Sequence, residues 1–282
     1  MVDPNDNNTM TQRITEYWDL RPCNICHSTL DTSTREYSDE VEARRYKVEP
    51  HILEFADFPR WRGKRVLEIG TGIGTDTLNF VRHGAEVVSV DISSKSLEIC
   101  KKRMDANGLK ATLICGNAEE LQKLLEHHGV IGGFDLVYSF GVIHHATRPE
   151  LIVKEVCGVL RSDGELRIML YSKWSFKLFD FMGPKETWDF AEADSIIQKY
   201  AEAQLNCPRA LTYTFNEVRS LLAGFDIQAI RKAHIFKYDV EDYIKGVLVV
   251  RPAFINMTAD QYASMESELG WHTLVTATPV RS

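Results

Sequence analysis

The 282-residue chain is short of several things, and each shortage narrows what it can be. It has no run of about 18 apolar residues, so no membrane-spanning helix is predicted. Positive charge is in deficit: 33 Lys and Arg against 40 Asp and Glu give a net charge of −7. Binding to nucleic acid normally needs a basic balance or patch, so no nucleic-acid partner is expected. The opening stretch MVDPNDNNTMTQ has neither the basic start nor the apolar segment of a secretory signal. Cysteine is sparse and scattered, at Cys23, Cys26, Cys100, Cys115, Cys157 and Cys207, which suits reduced thiols and a cytoplasmic location. Repeats and low-complexity stretches are missing too.

One short run stands against these absences. Cys23-Asn-Ile-Cys26-His27 spells C-x-x-C-H, the spacing of c-type haem attachment, and its first half is half of a zinc site. No second Cys/His pair at ligand spacing follows, and there is no export signal for haem attachment. No metal is therefore expected, and Cys23 and Cys26 should pack as small apolar side chains.

What is present is an ordinary folded composition, 44% hydrophobic and 26% charged, long enough for one elaborated domain or two small ones. Residues 1–12 read as a flexible tail. Residues 14–58 carry a helical period broken near Pro50, and with the tail they make an N-terminal segment, 1–60. From residue 61 to 172 short apolar strands alternate with helices: KRVLEIG, AEVVSVD, KATLICG, FDLVYSFG and ELRIMLYS, the last preceded by a turn at Ser162-Asp163-Gly164. That rhythm predicts a parallel, doubly wound α/β sheet. An aromatic, mostly helical insertion covers 173–212. The rhythm resumes over 213–282, with a capping-box pair Thr214/Glu217, a second helical insertion at 238–269 and a final strand GWHTLVTATP.

The glycine-rich turn after the first strand indicates a nucleotide-type cofactor, since backbone can approach it closely there. Gly70, Gly72 and Gly74 give G-x-G-x-G, and position 75, where a dinucleotide fingerprint wants glycine, is Thr75. Asp76 at the helix start would repel a pyrophosphate but tolerate a cationic ligand. Asp91 ends the second strand about twenty residues on, where a carboxylate can accept two ribose hydroxyls.

VLEIGTGIGTD, Asp91 after VVSV, and FDLVYSFGVIHH together resemble the class I S-adenosylmethionine-dependent methyltransferases, strongly over 61–172 and more loosely over 213–282. RPCNICHS, RRYKVEPHI and GWHTLV are similar to a group of bacterial small-molecule enzymes of that kind. The resemblance implies a Rossmann-like, mostly parallel seven-stranded sheet, with the N-terminal segment as a cap and the insertions as lids. It implies S-adenosylmethionine as cofactor and S-adenosylhomocysteine as product. Glu68, Gly70, Thr71, Gly72, Gly74 and Asp76 would cradle the methionine part, and Asp91 and Ile92 would take the ribose. Asn117 and Ala118 would flank the adenine, with Ser139 and Phe140 under the methionine tail.

The expected reaction is methyl transfer to oxygen or nitrogen of a small polar metabolite, by alignment and exclusion of water. His144 and His145, just past the fourth strand, are the candidates for a general base, with His145 favoured and the other held by a backbone bond. Arg21, Asn24, His27, Tyr46, Trp174, Tyr213 and His272 are candidate acceptor contacts, and Phe176, Phe179, Trp188 and Trp271 add aromatic material near them. Aminopropyl transfer and a cofactor-binding module without catalysis are the alternatives. Neither the acceptor nor a choice between monomer and homodimer can be read from the residues.

Overall fold

The computed structural model describes residues 7–183, 190–200 and 206–280. Three helices precede the sheet: α1 (Asn7–Leu20), α2 (Arg35–Val48) and α3 (His51–Ala56). The core then alternates β1 (Arg65–Ile69), α4 (Thr75–Arg82), β2 (Glu86–Asp91), α5 (Ser94–Ala106), β3 (Thr112–Cys115), α6 (Leu121–His127), β4 (Phe134–Phe140), α7 (Pro149–Val159) and β5 (Leu160–Tyr171). Helices α8 (Phe176–Met182) and α9 (Ala193–Tyr200) follow. The chain returns through α10 (Phe215–Leu221) and β6 (Phe225–Ala233), then α11 (Val240–Ile244), α12 (Pro252–Ile255), α13 (Ala259–Leu269) and β7 (His272–Pro279). Among these residues no helix is long and apolar enough to cross a membrane.

The seven strands lie in the order β3-β2-β1-β4-β5-β7-β6. The five strands β1 to β5 pair in parallel, while β7 runs antiparallel to both of its neighbours. The predicted doubly wound, mostly parallel seven-stranded sheet is the fold observed. Parallel strands covered on both faces must bury both sets of side chains. In β1, Leu67 and Ile69 face a core shared with Ile152, Val156 and Leu121 of the helices on one side, while Val66 joins Phe55, Phe58, Trp61 and Phe80 on the other. Strand order reverses between β1 and β4, and in open sheets of this kind ligands bind outside the carboxyl ends at that crevice.

Three sequence expectations are corrected. The polar tail expected over 1–12 gives way to helix at Asn7. Tail residue Thr11 meets Thr147 at 3.0 Å between hydroxyls, and further along α1 Asp19 accepts the Ser93 hydroxyl at 2.8 Å, so few apolar residues suffice to dock it. The turn expected at Ser162-Asp163-Gly164 is strand instead: Leu160 already pairs with Phe134, and a bulge absorbs the extra residues before Glu165 pairs with Leu136. Cys23 and Cys26 are exposed rather than packed, because the turn and 3-10 helix through Ile25–His27 direct Pro22 and His27 inward. The Thr214/Glu217 capping box is present as expected.

Candidate functional site

A cavity of about 590 Å³ opens along the carboxyl edge of the sheet, within the range of small-molecule sites. Its first end is built from the turn between β1 and α4. Gly70, Gly72 and Gly74 all have positive φ, +84°, +52° and +81°, which L side chains rarely adopt. A Cβ on Gly70 would lie 2.0 Å from Val142 Cγ2, and one on Gly74 2.3 Å from Cys100 Sγ. At Gly72 the same atom would meet nothing within 4 Å, so this glycine borders open space. Gly70 N–H donates to the Val90 carbonyl at 2.7 Å, which pins the turn to β2.

Asp91 closes the turn from the other side. One carboxylate oxygen accepts from Gly72 N–H at 2.7 Å and the other from Ser93 N–H at 2.8 Å. Burial pushes its pKa up to about 6 despite those bonds. Glu68 is buried beneath the turn and accepts from Thr77 and, at 3.0 Å, from Ser89. Burial, with the charge of Asp76 nearby, raises it to about 8. A raised carboxyl on a cavity wall favours a cationic partner, which would keep it ionised. Asp76 already has partners: it accepts from Tyr46 at 2.9 Å and Tyr138 at 3.0 Å, and pairs with Arg45 at 3.4 Å.

The expected residues separate into those on the cavity wall and those away from it. Glu68, Gly70, Thr71, Gly72, Asp76, Asp91, Ile92, Asn117, Ala118, Phe140, Asn24, His27, His145 and His272 line it. Gly74 and Ser139 support the wall without forming it, the first by letting α5 come close. Tyr46 is turned away from the cavity to Asp76 and Asn79. Arg21 is exposed, with its guanidinium over the Tyr17 ring. Trp174 is 45% exposed, because its segment turns outward where its carbonyl takes Lys232 Nζ. Tyr213 packs into the core beneath the sheet edge, its N–H bonded to the Tyr171 carbonyl. Trp188 lies outside the described residues.

The two loop histidines differ. His144 is fully buried, its ring tilted against Tyr171 with centroids 3.6 Å apart, with no hydrogen-bond partner for either nitrogen, and it is absent from the wall. Burial drives its pKa well below the ordinary value, so it is neutral. His145 is the one held by backbone, through Nδ1 to the Arg209 carbonyl at 2.6 Å. A carbonyl can only accept, so Nδ1 carries the proton and basicity falls to Nε2. The expectation that the residue away from the acceptor would have the backbone bond is thus reversed.

The second end of the cavity was largely missed from sequence. Beyond Phe140 it is walled by Arg45, Glu49, Lys177, Tyr171, Trp271, His234, Phe236 and Tyr243 with His272. These come from α2 and its C-cap, β5, α8, the residues after β6 through α11, and the start of β7. The signal was available in one respect: β7 runs antiparallel, so its first residue, His272, lies at the same edge as the carboxyl ends of the parallel strands. Ala233 pairs with His272, which brings the adjacent His234 to that edge as well.

The comparisons with known proteins agree with this geometry. A family model described as methyltransferase domain matches residues 61–229. The ubiquinone biosynthesis O-methyltransferase of Coxiella burnetii is 26% identical over 141 residues, 46% of this chain and 57% of that relative. The one from Chromobacterium violaceum is 28% identical over 120 residues, 42% and 49% of the two chains. The chain thus spans about half the length of these curated relatives. Magnesium protoporphyrin IX methyltransferase from Synechocystis PCC 6803, with bound S-adenosylhomocysteine, superposes with a TM-score of 0.56 at 14% identity, covering 95% and 99% of the chains. The cyclase SpnF does so at 0.57 and 16% identity, covering 98% and 96%. Such likeness carries the fold alone.

The strand order and the G-x-G-x-G turn define the class I, S-adenosylmethionine-dependent methyltransferase type. The chain belongs to the methyltransferase domain family.

Proposed function

We propose that this protein transfers a methyl group from S-adenosylmethionine to an oxygen of a small molecule. The single observation that carries the reading is one continuous cavity with a carboxylate-and-glycine end at Glu68 and Asp91 and an aromatic, imidazole-rich end past Phe140. The first end suits the cofactor. Asp91 would accept the ribose hydroxyls, Gly70, Thr71 and Gly72 would let backbone close on the methionine part, and Glu68 would face its ammonium. Asn117 and Ala118 border the place proposed for adenine, with Trp18 from α1 on the same wall. When bound, the cofactor supplies a methyl group already activated on a sulfonium.

The protein's share is then to align the acceptor, exclude water and receive a proton. Helices α1 and α2 act as the cap: Ile14, Trp18, Arg45 and Val48 come from them to the cavity wall. His145 is offered as proton acceptor through Nε2, oriented by its bond to Arg209. His144 is not. Arg45 and Lys177 among the aromatics favour a planar, anionic or electron-rich acceptor over a merely polar one. Oxygen is preferred because the curated relatives are O-methyltransferases.

A cofactor-binding module without catalysis would have its acceptor end filled, and the described residues leave it open. The cyclase among the structural neighbours shares the fold, so the test reads the methyl-transfer step itself. The test is release of S-adenosylhomocysteine with a panel of phenols, hydroxy acids, amines and sugars. Turnover on hydroxyl compounds supports the proposal. Cofactor binding with no release on any of them overturns it.

A further inference from the structure

Past Phe140 four side chains gather to which the proposed function gives no individual role. Glu49 ends α2, His51 opens α3 after Pro50, His272 opens β7, and His234 follows β6. Glu49, His51 and His272 each bring a ligand atom within 4.8 Å of the other two. His51 Nε2 and His272 Nδ1 face each other at 2.9 Å, and His272 Nε2 lies 3.9 Å from Glu49 Oε1. The His234 ring packs on His272 with centroids 4.6 Å apart. His51 and His272 also flank Phe140, at 5.9 and 5.4 Å between rings.

We propose that Glu49, His51 and His272 bind one divalent transition-metal ion, and that this ion holds an anionic oxygen of the methyl acceptor. Two imidazoles and a carboxylate make the donor set of catalytic zinc centres and of the facial triad, both of which leave positions open. Here Glu49, His272 and His234 border the cavity, so an open position would face it. Through His51 Nε2 and His272 Nδ1, metal–nitrogen bonds of about 2.0–2.1 Å need the rings to part by a few tenths of an ångström, and the Glu49 carboxylate, within 4.8 Å of both, to swing in to the ion.

The charge around the site selects the remaining ligand. Glu49 is the only carboxylate of the three, so a divalent ion keeps one positive charge after binding it. Arg45 is paired with Asp76 at 3.4 Å, while Lys177 Nζ lies 4.6 Å over the Trp271 ring. Both cations favour an anion in the open position. An acceptor with a carboxylate or phenolate oxygen next to its reacting hydroxyl fits. The ion then acts as a template that positions the acceptor. Placing that acceptor at the methyl rests on the methyltransferase reading, whereas ion binding itself does not.

The experiment is titration of chelator-treated, full-length protein with Co²⁺, followed by its visible spectrum and by calorimetry. One equivalent should bind, and His51→Ala and His272→Ala should each weaken it about 100-fold or more. The Cys23→Ser/Cys26→Ser double variant should bind as the parent does. Each variant is checked for thermal stabilisation by S-adenosylhomocysteine, so that a misfolded β7 in His272→Ala is recognised and His51→Ala decides. Acetohydroxamate, as a probe with a chelating anionic oxygen, should shift the Co²⁺ spectrum of the parent. Lack of stoichiometric binding, or binding lost only with the two cysteines, overturns the site. An unchanged spectrum with acetohydroxamate overturns the acceptor role. If S-adenosylhomocysteine fails to stabilise even the parent, it is the methyltransferase reading that falls.

Discussion

The two ends of the cavity are built in opposite ways. The end at Glu68 and Asp91 is made by one strand–turn–helix and the strand beside it, with backbone and glycine doing the shaping. The end past Phe140 is made by side chains brought from α2 and its C-cap, β5, α8, the residues after β6 and the start of β7, so that Glu49 and His272 meet from opposite ends of the chain. A ligand end formed by backbone tolerates few changes at its glycines. An end formed by side chains can be re-specified one residue at a time while the fold stands. The first is suited to a fixed cofactor and the second to a variable acceptor.

The largest expected effect breaks the backbone end. In Gly70→Ala the new methyl sits 2.0 Å from Val142 Cγ2 at a φ of +84°. Overpacking and backbone strain together should cost about 3 kcal/mol or more of stability, and cofactor affinity should fall at least about 100-fold. Thermal unfolding and calorimetry read both. A variant that binds normally would mean that the turn does not shape the site.

His145→Asn sharpens the comparison where the two ends meet. It should lower turnover about 100-fold, the usual worth of a general base, with cofactor affinity within about twofold. Near-normal turnover with an unchanged pH profile would leave His145 as the anchor of its loop to Arg209.

Glu68 gives the cofactor end a pH signature. Its carboxyl is raised to about 8 by burial and Asp76, and the proposed ammonium contact needs it ionised. Affinity for S-adenosylhomocysteine should therefore rise with pH, by up to roughly tenfold per unit between pH 6 and 8, with proton release on binding. A flat profile, or one that falls, would remove Glu68 from the contact.

His144 should affect stability and leave binding alone. It is held neutral in the fold by burial, so the unfolded chain binds a proton that the native state refuses once pH drops below about 6.5. Stability should therefore be lost as pH falls from there, and His144→Leu should flatten that loss by up to about 1.4 kcal/mol per pH unit. Equal acid sensitivity in the variant would contradict the assignment.

How far the sequence could be read follows the same division. The parallel strands, their order of appearance and the G-x-G-x-G turn were legible because period and glycine spacing are local. Most of the cofactor-side residues named from those motifs do line one cavity. Trp174 and Tyr213 do not, since an aromatic residue in an insertion carries no mark of which way it faces. Glu49, His51 and His234 carry no local mark of a shared site, because their significance arises only when β7, antiparallel, meets the end of β6. The C-x-x-C-H run does carry such a mark. Its spacing is a local signal too, but in the fold its cysteines sit exposed at the rim while His27 turns inward to Tyr243 at 2.7 Å.

The most direct measurement is calorimetric titration of S-adenosylhomocysteine into the parent, Asp91→Ala and His272→Ala. The account predicts one site in the parent, a loss of about 1–3 kcal/mol in Asp91→Ala, where the ribose hydroxyls lose their acceptor, and affinity within about twofold in His272→Ala. Unchanged binding in Asp91→Ala, or loss in His272→Ala alone, would contradict the division of the cavity into cofactor and acceptor ends.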